Sequence, residues 1–108
     1  MALDVQQIGT NMFQAASGVL AGKGPALLDY AKEQCEEIAK QIADIEAQRA
    51  QGLSEENAHT LLQLALDSAK QLPDDLETLG TIVLEQAINA ALAEVKGTVN
   101  GVLRFPLI

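Results

Sequence analysis

The segment LLDYAKEQCEEIAKQIADIEAQRAQG, residues 27–52, decides the fold of this chain. Apolar residues recur in it at alternating steps of three and four: Leu28, Ala31, Cys35, Ile38, Ile42 and Ile45. That spacing places them on one side of an α-helix, the side that packs against neighbouring helices at shallow crossing angles. Charged and amide side chains occupy the opposite side. The segment therefore predicts a long amphipathic helix over residues 25–51, which Gly52 ends.

The same period and its interruptions predict three further helices. Apolar stripes run through residues 3–21, 54–72 and 75–103. Gly, Pro, Ser and Asp punctuate the chain at residues 22–25, 52–54 and 73–74, and these residue types end or begin helices. Because the connections are short, consecutive helices are expected to be antiparallel. The prediction is an all-α fold: one domain, residues 1–108, built as an up-down-up-down four-helix bundle with an apolar C-terminal extension.

A buried core follows from these stripes. Its expected members are Ile38, Ile42, Leu62, Ala65, Val83 and Ile88. Only three residues of the chain are aromatic, so the core is expected to be aliphatic and rich in alanine, which suits close helix packing.

The net charge of −8 is confined to the middle of the chain. Residues 29–79 carry twelve acidic and four basic side chains, whereas residues 1–28 and 80–108 are each neutral overall. The acidic middle is expected to face solvent, and the terminal helices are expected to be covered. Nucleic acid is excluded as a partner because phosphate binding needs a cationic surface, and anionic membranes are disfavoured for the same reason.

The single cysteine and the first residues of the sequence indicate the compartment in which we expect this protein. Cys35 is the only cysteine, which leaves no intramolecular disulfide and favours a small hydrophobic role in the core. The first residues do not resemble a signal peptide, and the apolar stretches are interrupted by polar and charged residues. We expect a cytoplasmic protein without a transmembrane segment.

The end of the fourth helix predicts an interface. That helix is longer than its neighbours, so its apolar residues after Glu94 are expected to overhang one subunit. Ala93, Gly97 and Gly101 lie four residues apart and make one side smooth enough for another backbone to approach. The expected interface comprises Ala93, Gly97, Val99, Gly101, Val102, Leu103, Phe105, Leu107 and Ile108. The alternative is that the tail folds back and buries these groups within one chain.

Reactive chemistry is poorly represented. Glu56 and His59 have the Glu-x-x-His spacing of carboxylate-bridged metal sites in helical bundles. With Glu46 they form a candidate metal set, but all three lie near an exposed turn, so we expect His59 to be a partly exposed residue without a metal.

No cofactor and no catalytic residues are predicted. The preferred function is a non-enzymatic structural or protein-interaction module that forms homo-oligomers or docks a protein partner. The alternatives are a membrane-interacting bundle that swings out its terminal helices, and a carboxylate–histidine metal-binding bundle.

Overall fold

Helices account for the fold in a computed structural model that describes residues 3–71 and 81–108. Within these residues there are four α-helices and no strand: α1 (Val5–Val19), α2 (Pro25–Ala50), α3 (Glu55–Ala69) and α4 (Thr81–Leu103). The all-α prediction is confirmed. The expected boundary at Pro73 and the capping pair Asp74 and Glu77 lie outside the described residues.

Capping residues determine where the helices begin. The Asp4 carboxylate accepts hydrogen bonds from the backbone N–H groups of Gln6 and Gln7, at 3.0 and 3.2 Å. The Ser54 hydroxyl accepts one from the Asn57 N–H at 3.1 Å. Each cap satisfies backbone donors that have no partner inside the helix. Consequently α1 and α3 begin at Val5 and Glu55, slightly later than the predicted ranges.

The first connection depends on glycine. Gly22 and Gly24 have φ values of 80° and 104°, in the left-handed region that other residues rarely adopt. Pro25 occupies the first turn of α2, where its missing N–H costs nothing. The sequence therefore turns sharply and restarts a helix within a few residues, as its composition predicts.

Helix α1 packs against both α2 and α4, and α2 also contacts α3 and α4. The Leu3 N–H, just before α1, donates to the Glu46 carboxylate near the end of α2 at 3.3 Å. The Tyr30 hydroxyl, near the start of α2, donates to the carbonyls of Ala69 and Gln71 at 3.2 and 2.7 Å. The first bond joins the start of α1 to the end of α2. The other two join the start of α2 to the end of α3.

Apart from Phe105, the buried core contains no aromatic residue among the described residues. Four of its six expected members are buried: Ile38, Ile42, Leu62 and Ile88. Ala65 and Val83 were expected there, but they are only half-buried. Both lie at the edge of a buried helix face whose middle is formed by other residues, such as Leu66 on α3 and Leu84 on α4.

The buried side of α2 also begins at a different residue from the one predicted. Leu27 is fully buried, whereas Leu28 is half-buried. Leu27 precedes the buried Ala31 by four residues, so it continues the same helical face, and Leu28 falls beside it.

Candidate interaction site at the end of helix α4

The outer face of α4 presents small residues to solvent. Ala93, Gly97 and Gly101 are all exposed. No described atom beyond the local helix backbone lies within 4 Å of a Cβ built on either glycine. We call these three residues the small-residue face. Nothing that the structure describes packs against its two glycines.

Gly9 on α1, by contrast, is a helical glycine that faces a neighbouring helix. A Cβ built at Gly9 would meet the Ala39 Cβ at 3.7 Å and the Glu36 Cα at 3.8 Å. Gly9 is buried, and it allows α1 to lie close to α2. The glycines of the small-residue face have no such neighbour within the described chain.

The remaining residues of the predicted interface point partly inward. Val99, Phe105 and Leu107 are buried within the chain, and Val95 is buried beside them. The half-buried members are Val102, Leu103 and Ile108. The end of the chain therefore lies against its own bundle, which is the folded-back arrangement that the sequence left open. Whether these residues also form an interface stays a prediction.

Phe105 anchors this folded-back segment between two cationic or polar side chains. The Arg49 guanidinium carbon lies 4.8 Å from the centroid of the Phe105 ring, a cation–π distance. The His59 ring meets it edge to face, with centroids 5.7 Å apart and an angle of 83°. Arg49 is held in place because it also donates to the Leu53 carbonyl.

Asn100 fixes the last residue. Its side-chain amide donates to the Ile108 carbonyl at 3.3 Å and accepts from the Ile108 N–H at 3.1 Å. The chain reaches this position by reversing at Arg104, whose φ is 62° and whose N–H donates to the Asn100 carbonyl at 2.8 Å. We call residues 105–108 the tail and Arg104 its hinge.

A groove continues from the tail along α3. Its volume is about 440 Å³, and its lining is mainly aliphatic: His59, Thr60, Leu62, Gln63, Leu66, Leu92, Leu107 and Ile108. The tail thus lies at one end of this groove between α3 and α4, whose described residues make little direct contact.

A second groove, of about 720 Å³, runs between α1 and α2. Two rows of α1 side chains and one row from α2 line it, and the residues within each row lie four positions apart. The rows are Val5, Gly9 and Phe13, then Gln6, Thr10 and Gln14, both from α1, and Lys32, Glu36 and Lys40 from α2. The charges of this lining alternate and nearly cancel, so it favours no ligand class by charge.

The described residues gather no group of three or more His, Cys, Asp or Glu side chains that could hold a metal ion. Glu46 instead accepts the Leu3 N–H, and His59 is exposed and contacts Phe105. Across residues 3–71 and 81–108, no helix has both the length and the hydropathy needed to cross a membrane.

Comparison with known protein families, with characterised proteins and with solved structures gives no match.

Sequence reasoning did not find the residues that receive the tail. Arg49 lies at the end of α2 and His59 near the start of α3, on either side of one turn, whereas Phe105 follows α4 much later in the chain. The available signal was weak: a single aromatic residue next to Pro106 after the last helix, where apolar residues need cover. It indicates that something must be buried, but it does not identify the neighbours.

Proposed function

We propose that this chain is a non-enzymatic, cytoplasmic protein-interaction module that self-associates through the outer face of α4. In this proposal the helices are ordered up-down-up-down, and the acidic hairpin of α2 and α3 faces solvent. The two pairs of end-to-end hydrogen bonds, Leu3 with Glu46 and Tyr30 with Ala69, support that order for the first three helices. The free, buried Cys35 is compatible with a reducing compartment.

The small-residue face carries the proposal. A glycine inside a helix costs about 1 kcal/mol relative to alanine, and α4 contains two such residues one turn apart. Gly9 at least packs against α2, whereas Gly97 and Gly101 do not contact any other described helix. A second backbone that packs closely against these two glycines would offset their cost.

A second copy of the chain is the partner that fits best. A symmetric dimer places the same face of each subunit against the other, so a smooth, uncharged strip is matched by an identical strip. Ala93, Gly97 and Gly101 carry no charge that would repel its own copy. The half-buried Val102 lies beside Gly101 and would gain burial in such a contact.

Light scattering after size-exclusion chromatography tests this proposal. At tens of micromolar, the wild-type chain is expected to scatter as a multiple of 11.4 kDa. Gly97→Leu blocks close approach, so its mass is expected to fall towards that of the monomer while its helical circular dichroism persists.

Gly18→Leu is the matched control, because Gly18 is also an exposed helical glycine with open space around its Cβ position. It is expected to keep the wild-type mass. A wild-type chain that scatters as an 11.4 kDa monomer would remove the proposal.

A further inference from the structure

The tail behaves as a short peptide ligand of its own bundle. Phe105 and Leu107 are 7% and 3% exposed, although they follow the end of the last helix. Phe105 is received by Arg49 and His59, and Asn100 binds the backbone of Ile108 in both directions. Binding therefore combines a buried aromatic anchor with directed hydrogen bonds, the combination that makes a peptide site specific.

The hinge that turns the tail back is an unfavourable residue for that conformation. Arg104 is the one residue other than glycine with a positive φ among the described residues. In the left-handed region the Cβ of an ordinary L-residue crowds the following carbonyl, which is why glycine or asparagine usually occupies this place at a helix end. Folding back thus strains Arg104, and a chain that continued outward from α4 would not need this conformation.

The receiving groove is accessible without unfolding the bundle. It stays open to solvent beside Leu107 and Ile108, and its walls are α3 on one side and Leu92 of α4 on the other. The hinge also lies close to the small-residue face, three residues after Gly101 and seven after Gly97. Two copies that meet at that face would bring each hinge near the other copy.

We propose that two copies of this chain exchange their tails, so that residues 105–108 of each subunit occupy the groove beside α3 of the other. This inference rests on the proposed self-association and identifies the second contact that completes it. The groove contacts are the same within one chain and between two, so exchange retains them while relieving the conformation of Arg104. Strain in a short hinge is the feature that favours such swapping.

Exchange would also account for the tail residues of the predicted interface. Phe105, Leu107 and Ile108 are then interface residues and buried residues at once, because the groove that buries them belongs to the partner. In the dimer, the small-residue faces of the two subunits contact each other directly. The tail of each subunit then binds the groove of the other.

Cross-linking of a double variant, Thr60→Cys with Ile108→Cys, tests the exchange. Both positions line the groove, with Thr60 on α3 and Ile108 in the tail. A short bismaleimide applied to the full-length chain at a concentration where light scattering shows a dimer is expected to give covalent dimers on a denaturing gel. Cys35 is buried, and burial raises its pKa to about 11, so it contributes little reaction at neutral pH. Each single-cysteine variant serves as a control for linkage outside the groove.

The possible results separate the two proposals. A dimer by scattering whose cross-link stays within one chain overturns the exchange and leaves self-association standing. A monomer by scattering removes both. A dimer that forms neither linkage also overturns the exchange, because the tail then does not occupy the groove of either subunit.

A hinge variant gives an independent readout. Arg104→Gly makes the left-handed conformation favourable and should hold the tail on its own chain. The dissociation constant of the dimer is therefore expected to rise several-fold, whereas Arg104→Lys is expected to leave it unchanged. An unchanged constant for Arg104→Gly contradicts the exchange.

Discussion

At the scale of single residues, the pKa of the Cys35 thiol shows whether water reaches the core. Its side chain is 1% exposed, and burial, helped by the Glu36 carboxylate, raises the thiol pKa from 9.0 to about 11. A raised pKa in the folded state means that folding stability is complete below pH 9.0 and is lost as pH rises towards 11. The full loss amounts to about 2–3 kcal/mol.

Comparison with Cys35→Ala isolates this contribution. Denaturant unfolding at about pH 8 and about pH 10.5 is expected to show the wild type losing its stability advantage over the variant at the higher pH. The two proteins differ only at position 35, so the difference between their stabilities reports on the thiol. An advantage that is the same at both pH values would mean that the thiol is hydrated.

A matched pair of isoleucines tests the packing of the α2 seam. Ile42 is fully buried, whereas Ile82 on α4 is 71% exposed. Ile42→Ala removes the same atoms from a close-packed site and is expected to cost about 2–5 kcal/mol of unfolding free energy. Ile82→Ala is expected to cost less than about 1 kcal/mol. Equal losses in thermal or denaturant melts would show that the assigned burial is wrong.

At the scale of helices, the close approach of α1 to α2 limits the size of the side chain at position 9. The nearest atoms to its added Cβ, at 3.7 and 3.8 Å, are at ordinary van der Waals distance. Gly9→Ala is therefore expected to fit and to stabilise the chain by up to about 1 kcal/mol through helix propensity. Gly9→Leu should push the helices apart and cost about 1–3 kcal/mol. Equal effects of the two substitutions in denaturant melts would disprove the close approach.

The helices themselves were predictable because their signals are local. Apolar spacing, Ser54, Pro25 and the glycines at the turns are read within a few residues of one another. The observed ends of α1, α2 and α3 differ from the predictions by only a few residues. The edge positions Ala65 and Val83 were harder, since their burial depends on where neighbouring helices lie. The docking of Phe105 was out of reach for the same reason: its partners come from α2 and the start of α3.

At the scale of the whole molecule, charge opposes folding more than it supports it. The net charge is −8, and the ion pair shown within residues 3–71 and 81–108 joins Lys40 to Glu37 at 3.5 Å with both side chains 62% exposed. An exposed pair of this kind contributes at most about 1 kcal/mol. We therefore expect repulsion among the acids of α2 and α3 to outweigh it, because the compact state brings like charges together.

Added salt is accordingly expected to stabilise this protein. Raising sodium chloride from about 10 mM to about 150 mM shortens the screening length from about 30 Å to about 8 Å, which weakens the repulsion between helices more than it weakens close pairs. The melting temperature at neutral pH should rise by a few degrees. Glu33→Gln with Asp44→Asn on α2 should reduce that rise, because the two substitutions remove part of the repulsion and leave the pair of Lys40 with Glu37 intact. A melting temperature that falls with salt would show instead that attractive ion pairs dominate, and the acidic hairpin would then be held by partners of opposite charge rather than by its apolar seam.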